Sequence, residues 1–180
     1  MMIIFVWGKV IYDKVRHMPD AAEEIQVNAL QWAWQVKYKN GIRLNSKTAG
    51  QDVMHVPVNK PVKLIIGSRD VIHDVGLSHF RMKMDAVPGT PTTMWFTPTI
   101  TTAEMRKKTG NPDFVYEISC DQMCGKGHWS MRGVIVVETQ EEFDAWMAGK
   151  KPQYLVANPD KDPSVKKDTL SAAAPITGAV

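Results

Sequence analysis

The sequence predicts one all-β domain, a sandwich or barrel interrupted by two short helices. The chain has 180 residues, of which 44% are hydrophobic, and this is enough for one globular core. Its apolar residues lie in short runs, several of which alternate with polar residues as in strands that bury one face. Glycine and proline interrupt these runs at short intervals, which favours strands and turns over long helices.

The first strand-like segment covers residues 25–38. Its apolar residues alternate in one phase up to Ala29 and in the other phase from Leu30 onward, which predicts one strand with a bulge at this point. Further strands are predicted at residues 62–66, 75–84, 92–96, 114–119 and 133–138. The last of them contains four consecutive β-branched apolar residues, so we expect it to be buried on both faces.

Two helices carry capping signals in the sequence. Each has a threonine followed three residues later by a glutamate, which is the spacing of a capping box, and each is followed by a glycine. These residues are Thr101, Glu104 and Gly110 for the first helix, and Thr139, Glu142 and Gly149 for the second, which covers residues 141–148.

The two ends of the chain differ from this central part. Residues 1–10 are mostly apolar, but the run is far shorter than the roughly 20 residues that a membrane-spanning helix needs. It is either the end of a membrane helix, with aromatic and basic side chains in the interface, or the amphipathic start of a soluble domain. Residues 150–180 contain four prolines and little periodic hydrophobicity, and are predicted to be a tail.

Charge and cysteine content limit the possible partners. Basic residues exceed acidic ones by 22 − 19 = 3, and the charges are scattered rather than grouped into a polybasic surface. We therefore expect no nucleic acid as a partner. The two cysteines are too few for a disulfide scaffold, and their close spacing suits a small loop or a metal site.

Soft metal ligands are concentrated between the last two predicted strands. They follow the pattern C-x3-C-x3-H-x2-M and are Cys120, Cys124, His128 and Met131. Thiolates and a thioether favour copper, and a thioether is a poor zinc ligand, so Met131 argues for copper. A single blue-copper ion needs one cysteine, whereas two thiolates can bridge two copper ions. Each ion would then need its own imidazole, and the second must come from His17, His55, His73 or His79.

Three further motifs precede the cysteine motif. They are Gln31-Trp32-Ala33-Trp34, Ser68-x-Asp70-Val71-Ile72-His73 and Met84-Asp85-Ala86-Val87-Pro88-Gly89. In this order, over residues 31–131, the four motifs resemble the copper domain of cytochrome c oxidase subunit II. The valine-rich strand and the capped helix that follow fit this family as well.

The resemblance implies a cupredoxin-like Greek-key sandwich that holds a dinuclear copper centre of the CuA type. Its implied ligands are the bridging thiolates of Cys120 and Cys124, the imidazoles of His73 and His128, the weakly bound Met131 and the backbone carbonyl of Gln122. Trp32 matches the residue at which an electron from cytochrome c enters this centre. His128 matches the ligand on the exit side, toward haem in subunit I.

The resemblance also implies the wider function and surroundings. Subunit II of a respiratory cytochrome c oxidase accepts electrons from cytochrome c and passes them to haem in subunit I, where oxygen is reduced to water and protons are pumped. The implied partners are cytochrome c or a c-type haem domain, subunit I and other oxidase subunits, and the membrane. No C-x-x-C-H motif follows Met131, so the expected donor is a separate protein.

The same resemblance divides the chain into three parts. Residues 1–24 are expected to be the end of a transmembrane helix with an interfacial linker, residues 25–149 the copper domain, and residues 150–180 a C-terminal tail. The expected location is a respiratory membrane, such as the bacterial inner membrane, with the copper domain on the periplasmic side.

Two positions depart from the family pattern. Gln122 stands where much of the family has a glutamate whose carboxylate also helps to hold magnesium at the boundary with subunit I. An amide retains the carbonyl ligand to copper but lacks that charge, so we assign no magnesium. Ala33 stands where many members have an aromatic residue, which indicates a different surface for the donor.

Two other classes of protein use similar residues. A copper-delivery or copper-storage protein would need exposed, exchangeable ligands, and it would lose copper rapidly to a mild chelator. A structural zinc site of the Cys2His2 kind would be colourless, and Met131 would then be incidental.

Overall fold

A computed structural model of the chain describes residues 1–19, 22–47 and 52–163, with the backbone alone at positions 52 and 53. Within these residues ten strands form two five-stranded sheets. Apolar side chains of both sheets belong to one buried cluster, so the central part of the chain is a β-sandwich, as the sequence predicts.

The strands are, in chain order, β1 (Glu23–Leu30), β2 (Ala33–Tyr38), β3 (Arg43–Asn45), β4 (Asp52–Pro57), β5 (Val62–Ser68), β6 (His73–Leu77), β7 (Met82–Ala86), β8 (Thr92–Phe96), β9 (Tyr116–Cys120) and β10 (Arg132–Glu138). One sheet has the order β3-β2-β1-β5-β8 and the other the order β4-β10-β9-β6-β7. The β1–β5 and β4–β10 pairs are parallel, whereas the other pairs are antiparallel.

The prediction of one bulged strand over residues 25–38 is wrong, because this segment is a hairpin. β1 and β2 pair so that Leu30 lies opposite Ala33, and Gln31 and Trp32 form the turn. Residues directly opposite each other share a face of the sheet, so the apolar alternation resumes in the other phase after the turn. The turn contains none of the Gly, Asn or Asp residues that usually mark a two-residue hairpin loop, and the change of phase therefore resembled a bulge.

The strand predicted over residues 75–84 is also two strands. A 3₁₀ turn at Ser78–Phe80 separates β6 from β7, and Arg81 reverses the chain in a left-handed conformation with φ 55°. β6 and β7 then pair antiparallel, with His73 opposite Ala86. His73, at the start of β6, therefore lies at the end of this hairpin that is away from the reversal.

The remaining strands agree more closely with the sequence pattern. β5 and β8 contain the predicted segments 62–66 and 92–96, and β9 is displaced by one or two residues from 114–119. β10 contains residues 133–138, but only Gly133, Ile135 and Val137 are buried, so the expectation of two buried faces is wrong. β3 and β4 are not predicted by the sequence pattern, because β3 has only three residues and β4 includes a histidine and a proline.

The helices are α1 (Met2–Arg16), α2 (Thr102–Thr109), α3 (Gln140–Ala148) and α4 (Gln153–Ala157). Both predicted capping boxes are confirmed, with reciprocal hydrogen bonds at the start of α2 and of α3. Gly110 ends α2 in the left-handed conformation, with φ 66°, which a side chain would disfavour. The second predicted glycine, Gly149, ends α3.

The two ends of the chain carry the other helices. No residue of α1 is buried, and the Val15 carbonyl near its end accepts a hydrogen bond from the indole of Trp95 on β8 at 2.7 Å. No helix in the described part of the chain is both long and apolar enough to cross a bilayer. In the segment predicted to be a tail, α4 and a 3₁₀ turn (Pro159–Lys161) are present, and residues 164–180 lie outside the described residues.

Candidate metal centre

The C-x3-C-x3-H-x2-M segment forms the loop between β9 and β10. Cys120 is the last residue of β9, and Met131 directly precedes β10. The N–H of Cys120 donates to the carbonyl of Met131 at 3.2 Å, which closes the loop at its base. The antiparallel pairing of Ser119 with Arg132 continues this closure into the sheet. The two strands therefore fix both ends of the loop.

Two thiols lie at the centre of this loop. The Sγ atoms of Cys120 and Cys124 are 3.7 Å apart. The Nδ1 atom of His73, at the start of β6, is 3.8 Å from the sulfur of Cys120. The carbonyl oxygen of Gln122 is 3.2 Å from the same sulfur. Within the described residues, one ligand atom from each of His73, Cys120 and Cys124 lies within 4.8 Å of the other two.

Cys124 has its own neighbours on the other side of the pair. Its sulfur lies 3.6 Å from Nδ1 of His128 and 3.9 Å from Sδ of Met131. The structure thus brings together all six ligands that the resemblance implies. Five of them lie within residues 120–131, at the end of β9 and in the loop that follows it. His73 comes from a distant part of the chain.

The cluster is enclosed on most sides. Cys120 and Cys124 are 7% and 4% exposed, Met131 is 1% exposed and His73 is fully buried. His128 is only half-buried and lies beside Trp129, whose side chain is 82% exposed. One imidazole therefore lies in the protein interior, and the other lies at the surface.

A carboxylate orients the buried imidazole. Nε2 of His73 is 2.8 Å from Oδ1 of Asp70, so Nδ1 is left for the sulfurs. Burial opposes the charged form of Asp70, but hydrogen bonds from His73 and from the N–H groups of Gln31 and Val71 outweigh it and lower the pKa of this carboxyl. The flanking carboxylates that the sequence places beside His73 thus include the one that holds it.

The β1–β2 hairpin covers the loop from the other sheet. The Nε2 of Gln31 and the indole Nε1 of Trp32 both donate to the carbonyl of Cys124, at 2.8 and 3.1 Å. The indole of Trp34 donates to the carbonyl of Met131 at 3.4 Å. These bonds attach the backbone of the loop to the Q-W-x-W motif.

Glycine is required where the indole of Trp32 rests on the loop. A Cβ atom at Gly127 would lie 2.4 Å from Cδ2 of Trp32, and one at Gly125 would lie 3.0 Å from Cζ2. Gly125 also has a left-handed φ of 115°. The two glycines therefore allow both the tight loop and the close approach of the ring.

The chemistry of this donor set fits a soft metal. The two sulfurs are too far apart for a disulfide, whose S–S bond is about 2.05 Å. They are closer than twice a metal–sulfur bond of about 2.3 Å, so one ion can contact both. Burial, followed by the adjacent thiol of Cys120, raises the pKa of Cys124 to about 12. Cys124 is therefore a thiol at neutral pH unless a positive charge, such as a metal ion, stabilises the thiolate.

The other three histidines lie away from the cluster. His55 on β4 stacks on Trp146, with ring centroids 4.1 Å apart. His79 contacts the rings of Phe114 and Tyr116 edge-on. Nδ1 of His17 is 2.8 Å from the backbone carbonyl of Asp13, at the end of α1. None of these histidines belongs to the sulfur cluster.

The acidic residues around the site do not form one free face. Asp70 contacts His73, and Glu117 forms an ion pair with Arg132 on β10. Asp74 is 2% exposed. Burial, then a hydrogen bond with Asp85, raises the pKa of Asp74 to about 6. Several of these carboxylates are therefore buried or already paired within the domain.

The hydrogen bonds of Gln31 and Trp34 to the loop are not predicted by the sequence pattern. The signal was present in the Q-W-x-W motif, but a motif does not show which atoms meet. Gln31 lies 93 positions before the carbonyl that it contacts.

Comparison with known proteins identifies the family. The family model described as cytochrome c oxidase subunit II, periplasmic domain, matches residues 45–140. The chain belongs to the cytochrome c oxidase subunit II family. Its fold is the cupredoxin-like sandwich of that periplasmic domain. The cysteine loop and His73, which the resemblance singled out, both lie within the matched segment.

Individual relatives agree with this assignment. The chain is 29% identical over 169 residues to the alternative cytochrome c oxidase subunit 2 of Bradyrhizobium diazoefficiens, covering 80% of this chain and 57% of that protein. It is 30% identical over 142 residues to the cytochrome c oxidase subunit 2 of Thermostichus vulcanus, covering 79% of this chain and 37% of that protein. The chain thus spans about a third to somewhat over half of the relatives that it matches.

A solved structure supports the fold directly. The periplasmic domain of subunit II of cytochrome oxidase from Bradyrhizobium japonicum superposes with a TM-score of 0.60 at 28% identity. The match covers 73% of this chain and 95% of that domain. The sandwich described above is therefore the family's domain.

Proposed function

We propose that this chain is the electron-accepting part of a subunit II in a respiratory cytochrome c oxidase. It holds a dinuclear CuA centre, accepts electrons from cytochrome c or a c-type haem domain, and passes them to haem in subunit I. Oxygen is reduced to water there, and protons are pumped. The observation that carries this proposal is a buried pair of free cysteine sulfurs, 3.7 Å apart, with an imidazole beside each.

The distribution of donors supports two ions rather than one. His73 lies beside the sulfur of Cys120, whereas His128 and Met131 lie beside the sulfur of Cys124. Two thiolates and two imidazoles would complete a single tetrahedral site and leave Met131 and the Gln122 carbonyl unused. When bound, a pair of copper ions shares one unpaired electron, so the electron enters and leaves with little change in geometry.

The protein's own contribution is to hold these donors in place. The hydrogen bond between Cys120 and Met131 closes the loop, and Asp70 holds the ring of His73 by its second nitrogen. Gln31 and Trp32, in the β1–β2 turn, donate hydrogen bonds to the carbonyl of Cys124. A donor set fixed before the metal arrives needs little rearrangement when the charge on the metal changes.

Trp32 is the proposed point at which electrons enter. Trp32 is half-buried, and its Nε1 donates to the backbone carbonyl of Cys124. This contact links the surface to a bridging sulfur through one hydrogen bond and one residue. His128 is the proposed exit ligand, and its half-buried position beside exposed Trp129 suits contact with another subunit.

The surroundings follow from the family and belong to the same proposal. We place the domain on the periplasmic side of a respiratory membrane, with residues 1–24 as the end of a transmembrane helix and its linker. Subunit I and other oxidase subunits are the proposed neighbours. We assign no magnesium, because Gln122 offers a neutral amide where magnesium would be bound by a charged carboxylate oxygen.

Metal content and electron paramagnetic resonance test the centre. The full chain, loaded with copper, is expected to bind two copper ions and to give the hyperfine pattern of one electron shared by two equivalent nuclei. One copper with a mononuclear spectrum, or zinc with no signal, would contradict the CuA assignment. Rapid transfer of the copper to a mild chelator would instead support a delivery or storage function.

Reduction by cytochrome c tests the role of Trp32. In stopped-flow measurements on the copper-loaded chain, Trp32→Phe should slow reduction by reduced cytochrome c at least about tenfold while the copper spectrum is retained. Trp129→Phe is the matched control, because Trp129 is more exposed and, among the described residues, its indole makes no hydrogen bond to the Cys124 carbonyl that Trp32 contacts. Equal effects of the two substitutions would argue against Trp32 as the accepting residue.

A further inference from the structure

The outer face of the first sheet carries a polar groove that the proposed metal centre does not use. Its volume is about 560 Å³, and side chains of β1, β2 and β3, together with Arg69 and the start of α4, line it. This volume lies within the range of about 300–1,000 Å³ found for small-molecule sites. None of the six proposed copper ligands lines the groove.

Three cationic side chains line this groove without an acidic partner. They are Lys37 on β2, Arg43 on β3 and Arg69, which follows β5. Among the described residues, none of the three forms an ion pair, and no acidic residue is part of the lining. The other cationic side chains on the described strands are paired: Lys63 with Glu24, Lys83 with Asp74 and Arg132 with Glu117. The groove is thus a local concentration of uncompensated positive charge.

The strand register brings two of these cations together. Lys37 and Arg43 lie directly opposite each other in the antiparallel pair of β2 and β3. Like charges in this position destabilise a sheet, because the side chains are only about 5 Å apart at their Cβ atoms. A bound anion would remove this repulsion, so the arrangement favours the occupied groove.

Amide side chains supply most of the remaining surface. Gln26 lies beside Lys37 in the β1–β2 register, and Asn28 lies beside Gln35. Gln153, at the start of α4, lines the groove from the side. Each amide offers both donors and an acceptor, which suits phosphate oxygens, carboxylates and hydroxyl groups. A lining of cations and amides does not suit an apolar or a cationic ligand.

We propose that this groove binds a small polyanion that carries several phosphate or carboxylate groups. Arg43 and Arg69 present planar guanidinium groups that can bind such oxygens in pairs, and Lys37 adds a point charge between strands. The site is separate from copper binding, so it stands whether or not the proposed function is correct.

Calorimetric titration of the full chain with two probes tests this site. Tripolyphosphate represents the phosphate class and citrate the carboxylate class. We expect one probe to bind with a stoichiometry of one per chain, more weakly as salt increases, and the stronger of the two identifies the chemical class. Absence of saturable binding by both probes would overturn the proposal, as would binding of many anions per chain.

Substitutions locate the binding within the groove. The double variant Lys37→Gln with Arg43→Gln should weaken binding at least about tenfold, because two charge-assisted hydrogen bonds are lost. Lys63→Gln is the matched control, since Lys63 also faces outward on the same sheet but lies outside the groove. It should change the affinity less than about twofold. Equal losses in the two proteins would show only general charge attraction and would overturn the site.

Thermal unfolding supplies an independent readout. The Lys37→Gln protein, without anion, should unfold at the same or a higher temperature than the unmodified chain, because the repulsion with Arg43 is removed. Tripolyphosphate or citrate, whichever binds, should raise the unfolding temperature of the unmodified chain and not that of the double variant. A lower unfolding temperature of Lys37→Gln would show that Lys37 and Arg43 do not repel each other, and it would count against the site.

Discussion

Two buried histidines of this sandwich have similar surroundings and differ in one respect. His73 and His55 are 0% and 7% exposed. Each has a carboxylate beside a ring nitrogen, Asp70 at 2.8 Å from His73 and Glu138 at 3.2 Å from His55. Each also contacts a tryptophan ring. Burial, a carboxylate and an aromatic neighbour therefore do not distinguish a metal ligand from a histidine of the core.

The two histidines differ in what else the imidazole ring contacts. Nδ1 of His73 lies 3.8 Å from the sulfur of Cys120, within a cluster of soft donors. His55 instead stacks almost parallel on Trp146, at an interplanar angle of 16°, and packs α3 against β4. The comparison teaches that converging donors of matched softness, rather than the environment of one imidazole, identify the candidate site.

The largest expected effect comes from removing a sulfur. Cys124→Ser should abolish the dinuclear centre and leave at most one copper per chain, because a serine oxygen is a poor bridge for copper. Copper analysis and electron paramagnetic resonance measure this outcome. Met123→Leu is the control, since Met123 lies in the same loop but is 74% exposed. An unchanged dinuclear spectrum in Cys124→Ser would refute the bridging assignment.

Substitution of the two histidines by alanine should affect different properties, copper binding for His73 and stability for His55. His73→Ala should lose the dinuclear spectrum, because one of the two proposed imidazole ligands is gone. His55→Ala should keep the spectrum and lower the free energy of unfolding by about 1–3 kcal/mol, through lost packing on Trp146. Copper titration and chemical denaturation of both variants separate the cases. Loss of copper in His55→Ala, with the fold retained, would show that His55 also contributes to the copper site.

Replacing the carboxylates beside the two histidines should give the same contrast in copper binding, with a smaller effect than replacing the histidines. Asp70→Asn should retain both copper ions and weaken copper affinity by about 10–100-fold, because the ring of His73 is no longer held by a charged acceptor. Glu138→Gln should leave copper affinity unchanged, since its partner His55 is not a proposed ligand. Competition with a copper chelator measures both affinities, and equal values would show that Asp70 does not orient the ligand.

The smallest effect is expected for the thioether. Met131→Leu should keep two copper ions and shift the reduction potential, because a weak axial ligand adjusts the site and does not assemble it. Leucine has a similar volume, so packing at this 1% exposed position should be largely preserved. Redox titration of the copper-loaded chain measures the shift. Loss of one copper ion would show that Met131 is an assembling ligand.

Local sequence signals predicted most of the candidate site. Cys120, Cys124, His128 and Met131 lie within twelve consecutive positions, so one loop closed by two paired strands is enough to bring them together. The capping boxes of α2 and α3 were equally readable, because every partner lies within one helical turn. His73 was recognised only through a motif that resembles a known family.

Other features could not be read in this way. The hairpin at residues 23–38 was mistaken for one strand, because a change of apolar phase occurs both at a bulge and at a two-residue turn. The direction of the chain after Gln31 depends on which strands pair, and β1 pairs with both β2 and β5. Pairing of this kind is decided by the burial of the whole sheet.

Local sequence patterns are therefore sufficient to predict the fold class, the two capped helices and the soft donors of the candidate centre. They do not predict that Asp70 contacts His73, that Gln31 and Trp32 bind the carbonyl of Cys124, or that Lys37, Arg43 and Arg69 share one groove. The range of the contacts explains this difference. Spacing along the chain fixes neighbours within a turn or a loop, whereas contacts between distant segments exist only after two sheets have packed around one core.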